Sequence, residues 1–176
     1  MKEELDKALC ERYPKIFADR NAPMTETCMC WGICTGDGWY SILDRLCGAI
    51  QDRIDNAEDA HTRATQYNAA VIAAQAGDLS LIEERFEGSY RSADRIDEAI
   101  EQGPIEVRPL IPQVVATQVK EKFGTLNFYY TGGDQYISGL VDMAENMSAV
   151  TCETCGNPGK LRRGGWLRTL CDTHAK

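Results

Sequence analysis

The chain has 176 residues, 43% of them hydrophobic, and a formal net charge of −8. That length suits one ordinary domain or a small domain with an appendage, and the composition excludes intrinsic disorder. No apolar run approaches the roughly 18 residues a membrane span needs, and the opening MKEELDKALCERYPKIF lacks a secretion-signal core, so a cytoplasmic protein without a membrane partner is expected.

Residues 1–20 read as a short helix with Leu5, Leu9 and Ile16 on one side. Residues 21–39 are loop-like, punctuated by Pro23, Gly32, Gly36 and Gly38. A long helical pattern follows, with Leu43, Ile50, Ala57, Ala64 and Val71 recurring every seven residues until Gly77 stops it. Ser80 and Glu83 form a capping-box pattern for a second helix, which carries Leu79, Ile82, Phe86, Ala93, Ile96 and Ile100 and ends at Gly103-Pro104. Two apolar stripes joined by so short a link predict an antiparallel helical hairpin.

The period then changes to two. Val115, Thr117 and Val119 alternate with Ala116 and Gln118, and Leu126, Phe128 and Tyr130 alternate with Asn127 and Tyr129. This predicts a β-hairpin with Gly124 at or near its turn, and a third strand near Ile105–Arg108. Asp134 is a suitable N-cap for a helix presenting Ile137, Leu140, Val141, Ala144 and Met147. The expected fold class is α+β: a small antiparallel sheet with packed helices, a protruding antiparallel helical hairpin and a C-terminal zinc ribbon or knuckle. The expected segments are 1–39, 40–103 (insertion-like), 104–150 and 151–176.

Eight cysteines in a chain read as cytoplasmic argue for reduced thiols and metal rather than disulfides. Cys152-x2-Cys155, fifteen residues, then Cys171-x2-His174 supplies four soft or borderline ligands from two tight turns, the set that tetrahedral zinc takes. With all four ligands from the protein, no coordination position is left for substrate, so a structural Zn2+ is expected. Cys28, Cys30 and Cys34, completed by Cys47 or Cys10, could hold a second metal, although their spacing matches no common site. Small buried hydrophobes are their ordinary alternative.

The stretch QVKEKFGTLNFYYTGG (118–133), its continuation through YISGLVDMAENMSAVTCETCGNPGKLRRGGWLRTLCDTH to His174, and GDGWYSILDRLC (36–47) resemble a family of small proteins encoded by bacteriophages, prophages and bacteria. The resemblance covers somewhat under half of the chain. It implies a phage or prophage origin and a compact α+β core ending in a zinc knuckle. It implies no reaction.

No nucleophile motif, P-loop or dinucleotide fingerprint is present. His61 lies mid-hairpin, while Asp37 and Asp44 read as a helix start and a solvated helix position. The expectation therefore leans away from an enzyme. Lys120 and Lys122, with Tyr129 and Tyr130, suit an anionic ligand, and Arg162, Arg163 and Trp166 suit a partner contact. The expected function is a non-catalytic phage-type accessory protein that binds a host protein or small anionic ligand, with counter-defence in the host cytoplasm as one such role and homo-oligomerisation open through the helical hairpin. Residues 151–176 hold five Lys/Arg against two Asp/Glu, which keeps a nucleic-acid binder as an alternative. A small metal-assisted hydrolase using Asp37 is the other.

Overall fold

A computed structural model describes residues 1–175. The first helix, α1 (Glu3–Arg12), opens with Glu3, Glu4 and Asp6 at its positive end and closes on Arg12. It stops earlier than the sequence pattern suggests because Tyr13 precedes Pro14, and a residue before proline avoids helical backbone. Ile16 and Phe17 are still buried, but beyond the helix. Residues 18–39 form three single-turn 3-10 segments separated by irregular chain.

The chain folds into two compact units, Met1–Ile54 with Ile111–Lys176, and Asp55–Leu110. Helix α2 (Tyr40–Gln75) contributes to both. In the first unit it buries Leu43, Leu46, Cys47, Ile50 and Ile54. The second unit has its own small core of Ala70, Val71, Ala74, Ile82 and Ala99. Gly77 ends α2 with φ of +97°, as expected. The second arm is not one helix: α3 (Ser80–Phe86) and α4 (Ser92–Gln102) are separated by Gly88 and Arg91, both at positive φ. Nor does Ser80 cap α3. Asp78 does, its Oδ1 accepting the Ser80 N–H (3.1 Å) and hydroxyl (2.7 Å).

Residues 103–114 contain no strand. The backbone that a strand partner would have satisfied is met by helix side chains instead. The amide of Asn68 accepts from Ile105 N (2.8 Å) and donates to Ile105 O (2.7 Å), and His61 Nδ1 lies 2.7 Å from Arg108 O.

In the first unit, β1 (Val115–Lys122) and β2 (Thr125–Thr131) pair antiparallel around a two-residue turn, Phe123-Gly124, with φ of +55° and +88°. Both values positive make it the type I′ turn that matches strand twist. An irregularity between Ala116 and Gln118 shifts the alternation, so Val114, Ala116 and Val119 face the core rather than Val115, Thr117 and Val119. Each margin of this ribbon is occupied. Along β1, Ala116 N, Cys28 N, Cys34 N and Glu121 N bond to Ile16, Thr117, Val119 and Cys34 carbonyls. Along β2, Leu126 N donates to Ser148 Oγ (2.8 Å) and Phe128 N to Glu145 Oε1 (2.9 Å). Those two acceptors come from α5 (Gln135–Ser148), whose first turn is capped by Asp134, accepting from Ile137 N at 3.0 Å. A second antiparallel pair, β3 (Lys160–Arg162) with β4 (Arg168–Leu170), completes an α+β architecture.

Candidate metal centre and adjoining cleft

Thr151 leaves α5, and the next turn presents Cys152 and Cys155. It is closed by Gly156 N to Cys152 O (2.8 Å) and Cys152 N to Asn157 O (2.7 Å), with Gly156 at φ +77°. The β3–β4 ribbon returns the chain to a second turn carrying Cys171 and His174, with His174 N on Cys171 O. The ligand atoms of these four residues all lie within 4.8 Å of one another. Cys155 and Cys171 sulfurs are 3.8 Å apart, and His174 Nδ1 is 3.2 Å from Cys171 Sγ and 3.6 Å from Cys152 Sγ. A tetrahedron with metal–sulfur bonds of about 2.3 Å has edges of about 3.8 Å, so the group can hold a metal ion. Burial resists ionisation of Cys152, but the N–H groups of Cys171, Cys155 and Thr154, together with His174, outweigh it and bring the thiol down to about 6.

The knuckle is clamped to the rest of its unit through Glu153, which is 6% exposed. Its carbonyl accepts Gly38 N (2.8 Å), its Oε1 accepts Gly36 N (3.0 Å), and its Oε2 accepts Arg168 Nε (3.2 Å). A methyl group at Gly38 would overlap the Cys152 carbonyl oxygen and the Gly156 nitrogen. The fully buried Trp39 donates from Nε1 to Thr151 O at 2.8 Å. At the other side Thr169 Oγ1 donates to Gly124 O (2.7 Å), fixing the knuckle to the tip of the β-hairpin.

That junction forms a cleft of about 400 Å³, lined by Lys120, Glu121, Lys122 and Phe123 from the hairpin and by Gly165, Trp166 and Leu167 from the β3–β4 loop. Glu121 ties the two walls: its Oε1 accepts Gly124 N (2.6 Å) and its Oε2 accepts Trp166 Nε1 (3.3 Å). Lys120 Nζ lies 5.5 Å from the Tyr129 ring centre and Lys122 Nζ 5.6 Å from that of Phe123. Phe123 and Trp166 are 71% and 73% exposed. Phe123 also occupies left-handed backbone, which costs a bulky residue about 1–2 kcal/mol and which Asn or Gly would hold with less strain.

Comparisons with protein-family models, with curated proteins and with solved structures find no match to this chain.

Of the residues singled out from sequence, Lys120, Lys122 and Trp166 meet in the cleft. Tyr129 flanks Lys120 but lines a separate depression with Met24 and Gln118. Tyr130 packs on the core, its hydroxyl 3.2 Å from Ser138 Oγ. Arg162 is turned to Asp172 (2.5 Å) and Leu170 O (3.1 Å), and the exposed Arg163 does not line the cleft. Phe123, Glu121 and Leu167 were missed. The signal for Phe123 is an aromatic residue in a two-residue turn position that asparagine normally fills.

Cys28, Cys30, Cys34 and Cys47 do not form a metal-holding group among the described residues. Cys47 is fully buried in the apolar core, where burial raises its thiol pKa, whereas Cys34 is exposed and faces the Trp31 and Gly32 carbonyls. Asp37 accepts from the Lys2 backbone N–H (2.8 Å), which lowers its pKa, and pairs with the Lys2 ammonium. Asp37 does not line the lysine cleft. Asp44 is engaged by Arg12 and Tyr13.

Proposed function

We propose that this is a non-catalytic binding protein in which a structural zinc ion braces the C-terminal knuckle so that its loop and the β-hairpin tip together receive an anionic partner. The observation that carries this reading is the cleft itself. Two lysines and two exposed aromatic rings converge there from separate elements, and one of the rings is held in unfavourable backbone. Strain retained at an exposed position is characteristic of a recognition site rather than of a packing solution. Cations beside aromatic faces suit a ligand with both negative charge and a flat apolar part. Zinc is the natural occupant of a Cys3His set with tetrahedral spacing and no open position, and such an ion organises structure rather than chemistry. A phage setting, with a host protein or host-derived anion as the target, belongs to the same proposal.

The alternative of nucleic-acid binding through the basic tail is weakened by its ion pairs. Lys160 and Arg162 share Asp172, and Arg168 is paired with Glu153. Asp172 and Glu153 thereby offset two of the tail's five basic charges and fix the side chains that a phosphate backbone would draw on. A hydrolase built on Asp37 is weakened by the Lys2 pairing described above.

The test has two parts. Metal analysis of the purified chain is expected to give about one zinc per molecule, lost in Cys155→Ser. The zinc-loaded protein is then titrated by calorimetry with ATP, inorganic polyphosphate, a poly-glutamate peptide and a single-stranded oligonucleotide. At least one is expected to bind, at least about tenfold more weakly in Lys120→Glu/Lys122→Glu and in Trp166→Ala. Binding by none, or binding indifferent to these substitutions, refutes the cleft as the site.

A further inference from the structure

Successive residues of a strand point to opposite faces of a sheet, and the pairing of β1 with β2 assigns those faces. Val119 sits opposite Phe128 and both are buried in the core, so the neighbouring pairs Gln118–Tyr129, Lys120–Asn127 and Lys122–Thr125 lie on the other side. That side spans two recesses. The cleft at the hairpin tip is lined by Lys120, Lys122, Phe123 and Trp166. A depression of about 380 Å³ at the far end is lined by Met24, Gln118 and Tyr129, the last 40% exposed. Lys122 and Gln118 are four residues apart in β1, which is about 13 Å along a strand.

The charge along this face is ordered. Neither Lys120 nor Lys122 pairs with a carboxylate among the described residues, and each ammonium stands by an aromatic ring instead. The one carboxylate in the cleft, Glu121, is taken up by Gly124 N and Trp166 Nε1. Glu26 lines only the depression, where it disfavours phosphate but suits the amino group of a base. The overall negative charge of the chain does not lie in this unit. Residues 55–110 hold twelve Asp/Glu against five Lys/Arg, whereas the rest of the chain holds fifteen against fourteen.

We infer that the anionic partner is a single-stranded nucleic acid. One base lies against Trp166 and Phe123, the phosphates lie over Lys120 and Lys122, and a second base stacks on Tyr129. This rests on the cleft reading proposed above and names the class of ligand that fits it. The order ring, cations, ring along the ribbon repeats the order base, phosphate, base along a strand. An acidic peptide or a polyphosphate supplies the charge without flat rings at that interval, and a single nucleotide fills only one end. Stacking accepts any base, because every base has a π-face. A duplex keeps those faces covered. The basic tail takes no part.

Fluorescence anisotropy of the metal-loaded full chain with labelled oligothymidylates tests this, with thymidine monophosphate as competitor. The trinucleotide is expected to bind at least about tenfold tighter than the mononucleotide, because it reaches the second ring. Tyr129→Leu is expected to abolish that gain and leave mononucleotide affinity unchanged. Tyr129→Phe is expected to retain it, which separates stacking from packing. Two phosphate contacts give a log–log salt slope of about −1.4, which flattens in Lys120→Glu/Lys122→Glu. A trinucleotide no tighter than the mononucleotide, or a gain that survives Tyr129→Leu, overturns the inference. So does a duplex, a poly-glutamate peptide or a polyphosphate bound as tightly as the single strand. In each of these cases the cleft reading still stands if Lys120→Glu/Lys122→Glu and Trp166→Ala weaken binding. Binding by no probe overturns both.

Discussion

Replacing Gly38 by alanine tests how the Cys3His knuckle is joined to the rest of its unit. Gly38 does not have positive φ, so alanine meets no backbone penalty of its own and the effect is one of space alone. The added methyl would overlap the Cys152 carbonyl oxygen and the Gly156 nitrogen, and would sit 2.7 Å from the Cys155 nitrogen. All three are backbone atoms, so no side-chain rotation relieves the contact, and the two segments must separate by about 1 Å. That separation breaks the Gly38 N–Glu153 O bond and stretches those of Gly36 N to Glu153 Oε1 and of Trp39 Nε1 to Thr151 O. Overpacking costs about 1–3 kcal/mol and each lost bond about 1 kcal/mol, so a destabilisation of about 3–5 kcal/mol is expected. Urea unfolding of the metal-loaded protein measures it. Competition with a chromogenic chelator should show faster metal loss at the same time, because the overlapped atoms belong to the ligand turn. A midpoint shift equivalent to less than about 0.5 kcal/mol, with unchanged chelator kinetics, would mean that the knuckle is not clamped at this turn.

Three further outcomes follow from particular groups. Phe123→Asn should relieve the left-handed strain and stabilise the protein by about 1 kcal/mol while weakening anion binding in the cleft, read by melting temperature and by calorimetry; a fall in both would locate the aromatic ring's value in packing. Ser148→Ala removes the acceptor for the buried Leu126 N–H and should cost about 1–3 kcal/mol in urea unfolding. For Asp134, burial opposes ionisation, but the Ile137 N–H and Arg53 overcome it, and the carboxyl pKa is held below its usual value. Its contribution is therefore present above the unfolded carboxylate pKa of about 3.9 and is lost as pH falls through the lower folded value. Asp134→Asn keeps a cap but not the charge, so the stability gap between the two proteins should be widest above about pH 4 and close below it; a gap independent of pH would contradict the ionic contribution.

What the sequence revealed was mostly local chemistry. The Cys152–Cys155 and Cys171–His174 pairs, the Asp134 cap and the Gly77 stop each depend on residues a few positions apart or on one backbone requirement, and the structure contains each of them. The break between α3 and α4 escaped notice because Phe86, Ala93 and Ile96 keep helical spacing across it, and an apolar period does not register the left-handed Arg91. The shifted register in β1 escaped for a similar reason. One irregularity at Ala116–Gln118 reverses which alternate residues point inward. Contacts between distant segments left no trace in any window. Neither the fit of Gly36 and Gly38 against Glu153 nor the meeting of Phe123 with the Trp166 loop can be read from spacing, since each joins residues more than forty positions apart. The third strand expected near Ile105 fails for a physical reason of its own, because the Asn68 amide mimics the backbone partner that a neighbouring strand would have offered.

The occupied margins of the β1–β2 ribbon restrict how any visitor can dock. An unoccupied strand border invites a foreign peptide to lie alongside and borrow the ladder, a mode that is tolerant of sequence and easily drifts into polymerisation. Here the N-terminal coil seals one border and two α5 side chains seal the other. A visitor to this ribbon must therefore be chosen through the side chains at its tip, where swapping one residue changes the choice, and crowding at high concentration finds no template along which to extend.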